Sequence, residues 1–335
     1  MKKLIGTICT AVVLFMVISV SVAQEGVLFR IGTGGAGGTY FPIGGAIAMG
    51  LSNPVGAREC DNGGQCGVLG MISVAQSTTA SVFNNKAVHN SKLEAGLAAA
   101  DVTRSMYLGI DQFKGERYEH LRVIANLYPE NLHLVLREGV TIKTLDDLRG
   151  KRVGIAEAGS GTQVAALQIL KEWKITRDDI DAVELSSSDN ALQIANNSLD
   201  AFFSIAGWPV KAITNLSNAS RMQLYSFSEA EVDKIIKLIP SFVPSSIPGG
   251  TYYGIDTDVR TPAVNALLVT SSRITEDMGY DVTRALWNRN TRKLLDRGHH
   301  KGKFITLDNA LVGLDNLGVP LHRGALKYYQ EIGKL

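Results

Sequence analysis

Residues 31–45, Ile-Gly-Thr-Gly-Gly-Ala-Gly-Gly-Thr-Tyr-Phe-Pro-Ile-Gly-Gly, constrain this chain most. They follow a short apolar run, Val27 to Ile31, and precede a stretch with helical character. A strand, a glycine-rich loop and a helix start, in that order, leave backbone N–H groups free at a helix N-terminus. Such a terminus favours an anion. Thr39 and Tyr40 add hydroxyls beside those amides. The design recurs after Ile155, in Gly159-Ser160-Gly161-Thr162, where Ser160 or Thr162 can cap the helix that follows. Two such loops facing one another across a cleft would hold a small acid without an arginine. Taken singly, each is also an ordinary helix cap.

The chain between and beyond these loops alternates strands with helices. Val123–Ala125, Leu132–Leu136, Val153–Ala156, Leu199–Ile205 and Leu267–Thr270 read as strands. Gln163 to Trp173 reads as a helix with Ala166, Leu167, Leu170 and Trp173 on one face. Asn190–Asn197 reads as a second helix and Asp281–Arg297 as a long one. This alternation predicts an α/β fold with mostly parallel sheets and ligands at the carboxyl ends of strands.

The N-terminus narrows the compartment. Lys2 and Lys3 precede an apolar segment reaching about Val20, and Ser21-Val22-Ala23 supplies small residues for cleavage. This predicts a secretory signal peptide cut after Ala23, with a periplasmic product beginning at Gln24. A membrane anchor is the competing reading, but the segment falls short of the roughly 20 apolar residues of a span. Loss of Lys2 and Lys3 leaves acidic and basic residues balanced, so no net field attracts nucleic acid or anionic lipid. The 45% hydrophobic content is enough for a full core. Cys60 and Cys66 flank Asp61-Asn62-Gly63-Gly64-Gln65, and an oxidising compartment favours a disulfide between them. A metal site there would lack the four ligands zinc usually takes. No cofactor and no metal are expected.

Longer stretches resemble the solute receptors of tripartite (TRAP) transporters, in the branch called TAXI. The resemblance rests on residues 31–45, on 121–137 (LRVIANLYPENLHLVLR) and on 142–162 (IKTLDDLRGKRVGIAEAGSGT). It continues in 198–213, 247–252, 285–311 and 318–333, and covers nearly the whole chain after the leader. It implies a periplasmic-binding-protein fold of type II, α/β, with two domains closing on a central cleft. The implied domains are 24–129 plus 266–335, and 130–265. It implies a monomer that carries a small carboxylate, a glutamate-like amino acid or a dicarboxylate such as 2-oxoglutarate, to TRAP membrane subunits, without enzymatic activity. The segment Thr144 to Gly150 becomes the entry helix of the second domain, capped by Thr144 and stopped at Gly150, with Asp146 and Asp147 given no ligand role.

Carried over residue by residue, Thr33, Gly34, Thr39 and Tyr40 match the first ligand loop, and Ser160, Gly161 and Thr162 the second. Trp208, between Gly207 and Pro209, is implied as an apolar wall, and Tyr252 as a contact near the return crossover. Surface or core packing for Trp208, and hinge packing for Tyr252, are the alternatives. Two places depart from the family. Thr78-Thr79-Ala80-Ser81 stands where the family has Thr-Gly-Gly-Ser, which predicts a changed turn, with Ser81 still able to cap the next helix. Ala99-Ala100-Asp101 stands where it has Gln-Ser-Asp, leaving Asp101 to accept from a ligand ammonium or to cap a helix.

Two enzyme readings compete. Gly32-x-Gly34-x-x-Gly37 fits a dinucleotide fingerprint, but the acidic residue about 20 positions on, Glu59, falls in the cysteine loop. A secreted hydrolase could use Ser160, yet no Gly-x-Ser-x-Gly elbow is present and no spacing puts any of the six histidines beside Ser160.

Overall fold

The computed structural model describes residues 26–335, so the leader and its cleavage site lie outside the described residues. In chain order, β1 (Val27–Gly32), α1 (Tyr40–Leu51), β2 (Ser52–Asn53), β3 (Val68–Leu69), β4 (Met71–Gln76), α2 (Ser81–His89), β5 (Ala95–Ala99) and α3 (Ala100–Leu108) build one half. β6 (Leu121–Arg137) leaves it. β7 (Arg152–Gly154), α4 (Gly161–Glu172), β8 (Asp181–Val183), α5 (Ser187–Ala195), β9 (Ala201–Ala206), α6 (Lys211–Ala219), β10 (Met222–Leu224), α7 (Glu229–Leu238) and β11 (Phe242–Ile247) build the other half. β12 (Val259–Ser271) returns to the first half, which α8 (Glu276–Leu286), α9 (Arg289–Gly298) and α10 (Arg323–Glu331) complete.

The strands form one hydrogen-bonded path, β3-β2-β4-β1-β5-β12-β6-β9-β7-β8, with β10 beside β6 and β11 beside β12. In each half a parallel trio meets an antiparallel crossing strand. β4, β1 and β5 run parallel with β12 against them, and β8, β7 and β9 run parallel with β6 against them. The two crossing strands have 17 and 13 residues, well beyond the usual strand of about 5–6. Their length lets β6 pair with β12 from Leu121 to Asn131 and with β9 from Asn131 to Leu136. The change of partner falls at Pro129-Glu130-Asn131. This is the type II periplasmic-binding-protein arrangement.

Packing follows the expected faces. In the first half Phe29 and Ile31 of β1 are buried against Ile43, Ile47 and Leu51 of α1. Burying each of these side chains contributes about 1.5–3 kcal/mol. Gly44 lets α1 approach the sheet, because a Cβ there would lie 2.4 Å from Thr33 Cγ2. In the second half Val153 and Ile155 pack with Ala165, Ile169 and Phe203.

The strands expected at 123–125 and 132–136 are one continuous strand. The polar residues between them, Asn126, Glu130 and Asn131, are buried in the sheet rather than turned out in a loop. The expected helix over 281–297 is two helices. α8 ends at Leu286, and the Asn288 side chain accepts from Thr291 N–H to cap α9. Thr144 makes its capping box with Asp147, but the element is a single 3₁₀ turn, Leu145–Leu148, before the left-handed Gly150. The Cys60–Cys66 disulfide is formed. Among the described residues no helix is long and apolar enough to cross a membrane.

Candidate ligand cleft

A cavity of about 150 Å³ lies between the halves. The first half contributes Gly34–Tyr40, Thr79–Ser81 and Ala99. The second contributes Ala156, Glu157, Ser160–Thr162, Leu185–Ser188 and Ser204–Ala206, and Glu130 comes from the crossing strand β6. Three helix N-termini therefore open onto one small space, those of α1, α4 and α5. Their first-turn N–H groups have no partners within their own helices. Caps order two of them. Ser160 Oγ accepts from Gln163 N–H at 3.1 Å and Ser186 Oγ accepts from Asp189 N–H at 3.1 Å. The N-terminus of α2 is used differently, since Val82 and Phe83 N–H both donate to the carbonyl of Gly159 in the opposite half.

Other bonds also bridge the halves. Ala212 N–H donates to Gly37 O at 3.0 Å, and Thr39 Oγ1 donates to the Gly207 carbonyl. His299 Nε2 meets Pro209 O at 3.0 Å. The facing surfaces fit so closely that a Cβ on Gly37 would lie 2.1 Å from Ser188 Oγ, and one on Gly161 would lie 2.8 Å from Ser81 Oγ. The cleft is closed.

Its charged groups are acidic. Glu130 is 2% exposed, and its Oε2 accepts from Tyr40 Oη at 2.7 Å. Burial pushes its carboxyl up to about 8; the Tyr40 hydrogen bond opposes this, Asp101 adds to it and Lys301 opposes it. Burial also raises Glu157. Among the described residues no lysine or arginine lines the cavity. Lys301 lies behind the wall, with its ammonium 4.0 Å from the Trp208 ring centroid and 4.9 Å from that of Phe304. Burial pushes Lys301 down to about 8.

Of the residues singled out in the sequence, Gly34, Thr39, Tyr40, Ser81, Ser160, Gly161 and Thr162 come together on the cavity wall. Four others do not line it. Thr33 is fully buried and donates to Gln76 O at 2.8 Å, holding the end of β1. Asp101 sits in the first turn of α3, buried, with Oδ1 unpartnered and its carboxyl pushed up to about 6 by burial. Trp208 packs on Lys301 and His300. Tyr252 Oη accepts from Val210 N–H at 3.0 Å and meets His133 Nε2 at 3.0 Å inside the second half.

Several hydroxyls on the wall are already engaged. Thr162 Oγ1 accepts from Ile205 N–H, and Ser81 Oγ accepts from Ala99 N–H, so Ser81 does not cap α2. Ala80 occupies the N-cap position instead, at φ +73° and ψ −139°. Ser160 Oγ donates to Glu157 O at 2.7 Å while it accepts from Gln163 N–H, an arrangement that makes a cap rather than an activated nucleophile. Sequence reasoning missed Glu130, Glu157 and the serines at 186–188. An acidic residue inside the long apolar run 121–137 was the available signal for the first, and a serine triplet before a helix for the last.

Solved structures with the same fold include MatC from Rhodopseudomonas palustris with bound malate. It is 15% identical, with 92% of this chain and 97% of that one covered, at a TM-score of 0.50. A protein from Bordetella bronchiseptica RB50 matches at 13% identity over 92% of this chain and 83% of its own, with a TM-score of 0.51. A TctC solute-binding protein from Polaromonas is 14% identical over 94% of this chain and 100% of its own, with a TM-score of 0.45. The model of the NMT1-like family matches residues 31–333, and this chain belongs to that family.

Proposed function

We propose that this chain is an extracytoplasmic solute receptor of the TAXI type. It captures a small carboxylate in the cleft and delivers it to the membrane subunits of a TRAP transporter. In this reading it works in the periplasm after removal of its leader at Ala23. Residues 24–129 with 266–335 form one domain and 130–265 the other, and β6 and β12 are the hinge. The observation that carries the reading is the convergence of three helix N-termini on one enclosed cavity between halves joined by crossing strands. Each terminus presents N–H groups and a positive dipole end, and exclusion of water strengthens both. MatC shares the fold and holds malate, which is consistent with a small acid here. The engagement of Ser160 in capping favours a receptor over a hydrolase.

A thermal-shift screen with amino acids and organic acids tests this. A ligand that binds only the folded chain stabilises it by about 2.7 kcal/mol at a hundred times its Kd. At least one small acid should raise the melting temperature, and Ser160→Ala should weaken that response. Failure of every acid, with Ser160→Ala behaving as wild type, would refute the assignment.

A further inference from the structure

We infer that the ligand carries a cationic nitrogen beside its carboxylate, with the ammonium set against Glu130, so that the cleft takes amino acids in preference to their matching keto acids. This rests on the receptor reading above and names the substrate class of that same site. Glu130 lies on the crossing strand, at the change of partner between the halves, and faces the cavity. A carboxylate accepts at about four lone-pair positions. The hydrogen bonds of the described residues supply Glu130 with one side-chain donor, Tyr40 Oη. Its nearest cation does not close the gap. Lys301 forms no salt bridge among the described residues and directs its ammonium at the Trp208 and Phe304 rings. The remaining oxygen capacity of Glu130 opens onto the ligand space.

The acids of the wall point the same way. Glu130 and Glu157 line the cavity, and among the described residues no lysine or arginine lies on its wall. The second carboxylate of a dicarboxylate would have no cation there to pair with, and it would oppose the ionised form of Glu130. An amino acid places its carboxylate on the N-termini and its ammonium on Glu130. Asp101, the residue the sequence offered as the ammonium acceptor, is behind the wall, and Glu130 takes that role.

The groups that face Glu130 are Tyr40 from α1, Asp101 from α3, Tyr128 from its own strand and Lys301 from the turn His300–Phe304. Burial in the closed cleft pushes the carboxyl up to about 8, so it is protonated below that pH. Binding of an ammonium requires the ionised form. Affinity for an amino acid therefore rises as pH increases from 6 to 8, and affinity for a keto acid does not.

Isothermal titration with matched pairs tests the inference: L-glutamate against 2-oxoglutarate, L-alanine against pyruvate, and L-leucine against 2-oxoisocaproate. Members of a pair differ in charge only at the amine. A charge-assisted hydrogen bond predicts that the amino acid of the binding pair is favoured by about thirtyfold at pH 8, where Glu130 ionises readily, and by less at pH 7. Glu130→Gln keeps the shape and should bring that ratio to within about threefold. The wild-type pH series gives the same answer without a variant. Equal or tighter binding of the keto acid in the binding pair would overturn the inference and leave the receptor reading standing. So would a ratio unchanged in a folded Glu130→Gln, or an amino-acid affinity that falls from pH 6 to 8. If no member of any pair binds, the receptor assignment of the cleft fails and the inference fails with it.

Discussion

Gly37→Ala should weaken ligand binding without weakening the ligand-free protein. Gly37 lies in the first loop, and the added Cβ would meet Ser188 Oγ at 2.1 Å, Ala212 Cβ at 3.3 Å and Ser188 Cβ at 3.4 Å, all in the opposite half. Its backbone is not in the left-handed region, so alanine is tolerated locally. The clash exists only when the cleft is shut. Rotation of the Ser188 hydroxyl relieves the shortest contact, but the two carbon contacts remain tight and the halves must part slightly. Parting stretches the Ala212 N–H bond to Gly37 O. Overpacking of this kind costs about 1–3 kcal/mol, which predicts a Kd raised by about 5- to 150-fold, with the lower end favoured by the mobile hydroxyl. Titration of the best acid from the screen measures the Kd, and calorimetry of the ligand-free protein measures stability. Ser188→Gly in the same chain should restore part of the loss. Gly45→Ala, where nothing lies within 4 Å, is the control. A Kd within twofold of wild type would refute the closure argument, and so would an equal fall in ligand-free stability.

Ala80→Gly should stabilise the protein by about 1 kcal/mol, because alanine holds a positive φ there that glycine adopts without strain; chemical denaturation reads the gain. Ser160→Ala removes the α4 cap and should cost about 1 kcal/mol in the same assay, with binding weakened as the terminus frays. Glu130→Gln should stabilise the ligand-free chain in a pH-dependent way. The folded carboxyl titrates near 8 against 4.5 unperturbed, so the folded state binds the extra proton between those values and wild-type stability falls as pH rises through that window. The variant lacks this loss. Its advantage should be small at pH 4.5 and about 4 kcal/mol at pH 8. Equal melting differences at the two pH values would show that Glu130 does not titrate in that range.

The two glycine loops and their helices were legible because strand, glycine and hydroxyl follow one another locally, and local order alone dictates a helix terminus. The same holds for the Thr144 cap, although the element it starts is a 3₁₀ turn and not a helix; the Asn288 cap was not legible, and the sequence pattern runs as one helix straight through it. Trp287 and Asn288 sit in an otherwise helical pattern, and only the capping geometry marks the break. Glu130 was not legible as a site residue. Its meaning depends on which residue of a 17-residue strand lies where the partner changes from β12 to β9, and pairing register is a long-range property. Asp101, Trp208 and Tyr252 lie off the cavity wall for the same reason. Burial turns Asp101 and Tyr252 into the interior of their halves, and Trp208 stacks across the halves on His300 and Lys301 instead of facing the cavity.

Closure and recognition use different groups here, and their effects separate thermodynamically. The bonds from Ala212 to Gly37, from Thr39 to Gly207 and from Val82 and Phe83 to Gly159 form whichever ligand is enclosed. A substitution among them changes the equilibrium between open and closed forms and scales every affinity by one factor. Glu130 contributes only when the enclosed molecule offers it a donor, so its substitution changes the ratio between ligands. Gly37→Ala should therefore lower the affinity for an amino acid and its keto acid equally and preserve their ratio. Glu130→Gln should collapse the ratio with closure intact. If Gly37→Ala altered the ratio as strongly as Glu130→Gln, the loop would be contacting the distinguishing amine itself, and selectivity would belong to the jaw instead of the hinge strand.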